Sequence, residues 1–324
     1  MMRTVELPRT ELNPSRLAFG SALLMARLGR RESVRLLEAA HEAGITHFDT
    51  ARAYGYGEAE SAVGEFLARH RESVTVATKL GMVPPRRSRS LGLAKTVARA
   101  AVRRAPAARR LLRRGAATMV GSGHFDPAEA RSSLETSLRE LAVETVDLLL
   151  LHECRPADLE TEGLFDFLQS SVQAGKVRHF GIATDPHSTE VILDQQARFA
   201  PVAQFEHNVR DDTLAAVPDP NRTAVITHSA LREVIGPLTA LLRDPALRAS
   251  WSRQLDLDLG RPGLPGRLLL AYALESNATG VVLFASTDEA TIRANAALAD
   301  RDEFSSEQIQ SFARLARGAL SPAG

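Results

Sequence analysis

Four side chains that together could tune a proton donor stand in four short segments of this chain. Asp49 closes the run Thr46-His47-Phe48-Asp49, and Lys79 closes Val74-Thr75-Val76-Ala77-Thr78-Lys79. His152 follows the apolar run Leu148–Leu151, and Tyr54 lies just after Asp49. A phenol ordinarily ionises near pH ~10, too high to exchange a proton readily at neutrality. A neighbouring ammonium favours the phenolate and lowers that value. A carboxylate would keep the lysine charged and oriented. An imidazole could place a carbonyl oxygen beside the phenol. The set describes a general acid suited to carbonyl reduction. Singly, each residue has an ordinary structural use: a helix cap at Asp49-Thr50-Ala51, a solvated strand end at Lys79, a core histidine at His152, a packed ring at Tyr54. Their joint occurrence at strand ends carries the reading.

Strand ends need strands. Short β-type runs occur at Leu17–Ser21, Thr46–Asp49, Val74–Lys79, Val146–His152, His179–Ala183, Val202–Phe205, Ala224–Thr227 and Val281–Phe284. Amphipathic stretches lie between them, among them Glu32–Ala43, Glu58–Ala68, Pro127–Leu141 and Leu164–Ala174. Leu134, Leu138 and Leu141 fall on one helical face. Asp126-Pro127 reads as an N-cap and a first-turn proline, and Gly44 and Gly175 as C-terminal glycines. Leu148–Leu151 has no polar alternation, as expected of a strand buried on both faces. Strand then helix, repeated about eight times with one crossover hand, predicts an α/β fold, a (β/α)8 TIM barrel, whose chemistry sits at the carboxyl ends of its strands. An open doubly wound sheet is the alternative. It would show a glycine-rich turn after its first strand, and the nearest match, Gly121-Ser122-Gly123, follows a basic helical segment instead. Pro262, Gly263, Pro265 and Gly266 read as a loop before Leu268–Leu274.

The chain has 324 residues, 44% hydrophobic and 24% charged, a mixture that excludes disordered, collagen-like and disulfide-scaffold classes. The reading is one barrel domain over residues 1–324. One cysteine, Cys154, permits no internal disulfide. The first residues lack the apolar stretch of a signal peptide, and no apolar run is long enough to span a bilayer, so a cytoplasmic location is expected. A net charge of +1 argues against a nucleic-acid binder, but it hides an asymmetry. Residues 82–125 carry eleven Arg or Lys and no acid, leaving −10 on the rest. The segment interleaves apolar residues with its arginines and lacks Tyr or Trp for base stacking. It reads as a lid-like insertion after the third strand, suited to an anionic ligand or an acidic partner.

Motifs in order then make the chain similar to the aldo-keto reductase family. They are Gly44-Ile45-Thr46-His47-Phe48-Asp49-Thr50-Ala51, Tyr54-Gly55, Gly57-Glu58, Glu60-Ser61 with Gly64, Ala77-Thr78-Lys79, Asp147 through His152, and Gly175-Lys176-Val177-Arg178 with Gly181-Ile182. The resemblance runs from about Leu17 to Asn295. It implies a barrel that binds NADPH, with NADH as the alternative, and reduces an aldehyde or ketone to an alcohol or runs the reverse. Asp49, Tyr54, Lys79 and His152 fall on the family's catalytic tetrad, with Tyr54 the proton donor. Gly20, Ser21, Asp49, Thr184, Gln204, His228, Ser229, Leu231, Ser286, Thr287 and Asn295 are the implied cofactor contacts. Tyr54, Tyr56, His152 and Trp251 are expected to face the substrate, in a pocket closed by loops 81–125, 209–222 and 229–266.

Departures from the pattern bear on the cofactor. Ala183-Thr184 stand where the family carries Ser-Asn for the nicotinamide carboxamide. His228 takes the place of a stacking tyrosine and introduces a group expected to titrate near neutrality. Basic anchors for a 2′-phosphate would fall near Ala285 and Thr291, and neither is basic. These changes keep a second reading open: a non-catalytic or regulatory member that binds nicotinamide cofactor and a protein partner. A metal-assisted hydrolase using His47, Asp49 and His152 lacks a second clustered histidine, so no metal is expected. The oligomeric state is not encoded in these patterns.

Overall fold

A computed structural model describes residues 2–84, 123–219 and 222–320. Eight strands form a closed barrel in sequence order, each paired in parallel with the next. They are β1 (Leu17–Gly20), β2 (His47–Asp49), β3 (Thr75–Leu80), β4 (Val146–His152), β5 (Val177–Ala183), β6 (Val202–Glu206), β7 (Ala224–His228) and β8 (Val281–Phe284). Closure comes from β1 against β8, with Phe19 opposite Phe284. The eight runs read from the sequence are these eight strands, with ends moved by a residue or two.

The principal helices are α1 (Arg30–Glu42), α2 (Ala59–His70), α3 (Pro127–Leu141), α4 (Leu164–Gln173), α5 (Pro186–Gln195), α6 (Ile235–Leu241), α7 (Pro245–Leu255), α8 (Leu264–Ser276), α9 (Glu289–Asp300) and α10 (Ser306–Leu320). Asp126 caps α3, its side chain accepting from the N–H groups of Ala128 and Glu129. Pro265 and Gly266 are not loop residues, because α8 begins at Leu264. Proline is tolerated in a first helical turn, where its missing N–H costs no hydrogen bond. The expected loop over residues 229–266 likewise contains α6 and α7. The basic side chains between Arg86 and Arg114 lie outside the described residues.

Strand alternation divides the core in two. Ala18, Ala77, Leu148, Leu150, Ala183, Val202, Ala224, Ile226 and Val281 fill the barrel, and Leu149, Leu151 and Ile182 pack outward under the helices. β4 is buried along its whole length because it faces both layers. The barrel floor was not foreseen. Residues before β1 fold into a hairpin, with Val5 N–H bonded to the Pro14 carbonyl at 2.9 Å and Leu7 N–H to the Leu12 carbonyl at 3.0 Å. Val5, Leu7 and Leu12 join the interior cluster from below. Pairs this short have too few residues to show a period of two.

Closure also depends on glycine. A Cβ on Gly181 would lie 2.1 Å from the Val202 carbonyl oxygen, so β5 and β6 meet as they do because position 181 has no side chain. Gly181→Ala is therefore expected to destabilise the chain by about 2 kcal/mol or more. Gly236→Ala, within α6 and with no atom within 4 Å, is expected to be neutral or slightly stabilising. Urea midpoints of the two variants test the contrast.

Candidate active site

The site stands at the carboxyl ends of β2, β3 and β4, and the strand register explains its compactness. Asp49 is paired with Ala77 on β3, two residues before Lys79. The Lys79 ammonium donates to both Asp49 oxygens, at 2.5 and 2.6 Å, and to the Thr50 carbonyl at 3.0 Å. Both side chains are almost fully buried. The Gln204 amide, from β6 across the barrel, donates to the second Asp49 oxygen at 3.0 Å. Asp49 thereby joins strands that are not neighbours.

Tyr54 reaches the same point from a turn, not from a strand. The chain after β2 passes into a 3₁₀ segment, Tyr54–Gly57, in which Gly55 and Tyr56 adopt left-handed φ of 58°. A Cβ on Gly55 would lie 2.4 Å from the Met25 Cβ, so glycine is what lets the turn press against the barrel mouth. The Lys79 ammonium sits 5.0 Å from the centre of the Tyr54 ring. His152 meets that ring edge-on at 5.7 Å. All four residues read from the sequence converge here. Tyr56 is half-buried in the same turn.

Burial sets the proton affinities of Tyr54, His152 and His228 more than charge does. For Tyr54, burial pushes the phenol above its ordinary value; Lys79 opposes this and does not overcome it. The sequence-based expectation of a lowered phenol is therefore corrected: desolvation outweighs the nearby ammonium. For Lys79, burial works against the ammonium, but Asp49 and Tyr54 outweigh it and raise its pKa. Burial, with help from Lys79 and His228, lowers His152 to about 3. His152 Nδ1 has no hydrogen-bond partner among the described residues. Burial also lowers His228 to about 4, so it does not titrate near neutrality as expected. Both rings are neutral at pH 7.

The remaining predicted contacts trace an arc along strands β5 to β8 and back to β1. The Thr184 hydroxyl donates to the Cys154 carbonyl at 2.7 Å and keeps lone pairs for an amide donor. His228 Nδ1 lies 2.9 Å from the Ser229 hydroxyl. Ser229 has a left-handed φ of 67°, and the Leu231 carbonyl closes the turn that follows. Ser286 and Thr287 lie between β8 and α9, and Asn295 lies on α9. Gly20 and Ser21 end β1, next in the barrel to β8. The buried hydroxyls of Ser21 and Thr50 have no hydrogen-bond partner among the described residues. A polar ligand laid across the strand ends would satisfy such groups, and the donor and acceptor set fits a nicotinamide ribose and carboxamide.

Two proposed uses are not supported. Trp251, read as a substrate contact, is buried in α7 and packs edge-to-face on Phe312 of α10 at 6.4 Å, where it joins two helices. Nδ1 of His47, invoked in the metal alternative, bonds the Thr75 hydroxyl at 2.7 Å. Among the described residues no group of three His, Cys, Asp or Glu is placed to hold a metal ion. Three features escaped the sequence reading: the Thr50 carbonyl on Lys79, the Gln204 bond to Asp49, and Glu153. Glu153 is held at a left-handed φ of 54° directly after His152. Only adjacency to the motif residues hinted at Thr50 and Glu153.

The opposite end of the barrel has a different character. Buried Asp147 accepts from the Val76 N–H at 2.8 Å and pairs with Arg71 and Arg178, both at 3.0 Å. A cavity lined by Thr4, Asn13, Thr46, Arg71 and Arg178 lies there, remote from Tyr54. Its guanidiniums are already engaged.

The sequence pattern of the aldo/keto reductase family matches residues 16–212. The chain belongs to that family. It is 38% identical over 78 residues to pyridoxal 4-dehydrogenase of Microbacterium luteolum, covering 23% of each chain. It is 31% identical over 168 residues to D-threo-aldose 1-dehydrogenase of a Pseudomonas species, covering 50% of this chain and 46% of that one. It thus spans a quarter to a half of the length of these curated relatives. The glycerol dehydrogenase of Gluconobacter oxydans superposes with a TM-score of 0.71 at 20% identity, over 99% of this chain and 97% of the other, a likeness of fold. No helix among the described residues is long and apolar enough to cross a membrane.

The two lowered histidines predict how stability depends on pH. His152 at about 3 and His228 at about 4 lie below the ordinary 6.5, so the unfolded chain binds protons first as pH falls. Their stabilising contribution is complete above pH ~6.5 and is lost as pH falls toward ~3. Urea midpoints measured across that window should decline. The slope should flatten in a His152→Gln, His228→Gln double variant. An equal slope in that variant would remove the assignment.

Proposed function

We propose that this chain is an NAD(P)H-dependent oxidoreductase that interconverts an aldehyde or ketone with the corresponding alcohol. The observation that carries the reading is the cluster of buried Lys79, Asp49 and His152 with half-buried Tyr54 at one barrel mouth. Ser21, Thr184, Gln204 and His228 would hold the nicotinamide end of the cofactor, with Ser229 and Leu231 beside it, and Ser286, Thr287 and Asn295 would hold the adenosine end. When bound, the reduced cofactor supplies a hydride to the carbonyl carbon.

The chain's own residues supply the rest. Neutral His152 can donate a hydrogen bond to the carbonyl oxygen and fix its direction. Tyr54, kept protonated by burial, delivers its proton to that oxygen as charge develops there. The phenolate left behind is stabilised by the Lys79 ammonium. Asp49 and the Thr50 carbonyl hold that ammonium in place, and Gln204 holds Asp49. In the alcohol-oxidising direction the same phenolate is the base. The names of the pyridoxal 4-dehydrogenase and the D-threo-aldose 1-dehydrogenase make hydroxylated carbonyl compounds and their alcohols the first substrates to try.

Tyr54→Phe removes the transferable proton and little else. Turnover of an active aldehyde should fall roughly 10²–10⁴-fold, with dinucleotide binding retained. The measurement is NAD(P)H oxidation followed by absorbance, beside a fluorescence titration. An undiminished rate in this variant would falsify the role given to Tyr54. Tight dinucleotide binding by the unmodified chain without turnover of any carbonyl would favour a sensing protein instead.

A further inference from the structure

The turn from β8 into α9 carries the wrong charge for a phosphate. Asp288 is the N-cap of α9, and its Oδ2 accepts from the Thr291 N–H at 2.8 Å and from the Thr291 hydroxyl at 2.6 Å. A carboxylate therefore already occupies the helix end at which backbone N–H groups would otherwise receive an anion. Glu289 adds a second carboxylate in the first helical turn. The nearby guanidiniums are spoken for. Arg293 gives Nε and Nη2 to Glu289 at 3.1 and 3.0 Å, and Nη2 to Glu42 of α1 at 2.8 Å. Arg35 lies 3.9 Å from Glu289. Two arginines thus face three acids, Glu42, Asp288 and Glu289, a local excess of negative charge. The family resemblance expects basic anchors at Ala285 and Thr291, and neither side chain carries a charge.

We infer that this turn selects the dinucleotide whose adenosine ribose bears free hydroxyls, NADH, against NADPH, and that Asp288 is the discriminating residue. The inference rests on the proposed oxidoreductase function and on the cofactor lying along the strand ends toward β8. A 2′-phosphate placed here would meet Asp288 and Glu289, and the nearby Arg35 and Arg293 are already paired with acids. A ribose hydroxyl is a donor, and a carboxylate offers about four acceptor sites, so Asp288 can receive it beside its bonds to the first turn of α9. The NADPH preference expected from the resemblance is thereby reversed.

Equilibrium titration of the full chain by tryptophan fluorescence or calorimetry tests this without any substrate. The probes are NADH, NADPH, 5′-AMP and 2′,5′-ADP. NADH should bind at least about tenfold more tightly than NADPH, and 5′-AMP more tightly than 2′,5′-ADP. Added salt should narrow both ratios, because screening weakens the repulsion. Asp288→Ser keeps a capping hydroxyl and removes the charge. It should weaken NADH, strengthen NADPH and bring the ratio toward one, with thermal melting confirming the fold. Equal or tighter binding of NADPH by the unmodified chain, or a ratio unmoved in Asp288→Ser, overturns the inference and leaves the proposed function standing. Binding of neither dinucleotide overturns both.

Discussion

The ammonium of Lys79 and the carboxylate of Asp49 share a space from which water is almost wholly excluded. Moving either charge alone out of water costs several kcal/mol, at least about 3 once a partner is removed. The pair is tolerable because each group is saturated: Lys79 by two carboxylate oxygens and the Thr50 carbonyl, Asp49 by Lys79 and the Gln204 amide. Those bonds reach from β2 to β3 and across the barrel to β6. The ion pair thus constrains strand register, and the closed barrel in turn holds the pair's geometry.

Around this fixed charge the rest of the mouth is made neutral by burial. Two imidazoles, His152 and His228, stay unprotonated because burial disfavours the imidazolium, and Lys79 adds repulsion. Tyr54 keeps its proton because burial disfavours the phenolate by more than Lys79 favours it. One permanent dipole beside three uncharged hydrogen-bonding groups is a preorganised arrangement: little must reorient when charge appears on a substrate oxygen.

Much of this was legible from the chain. The apolar run before His152 exposed a strand covered on both faces, and short β-type runs elsewhere put Asp49 and Lys79 at strand ends. Asp126-Pro127 marked a helix start that the structure reproduces to the residue. What escaped has physical causes. The hairpin of Val5, Leu7 and Leu12 is too short to show periodicity. Pro265 and Gly266 signal a turn by composition, yet proline also suits the first turn of a helix, and the helix prevailed. Trp251 looked like a pocket aromatic because sequence does not reveal which helix face meets α10. The direction of the Tyr54 shift required knowing the depth of burial, which no local pattern supplies.

A second buried acid, Asp147, sits at the far end of the barrel and binds Val76, Arg71 and Arg178. With the hairpin floor beneath it, this end contributes to closure and takes no part in the proposed chemistry. The far end thus serves cohesion alone, while the mouth combines cohesion with the proposed chemistry. Such a division leaves the rim loops free to be exchanged or lengthened while the barrel stays shut, which makes the architecture a suitable host for substituted loops and new substrates.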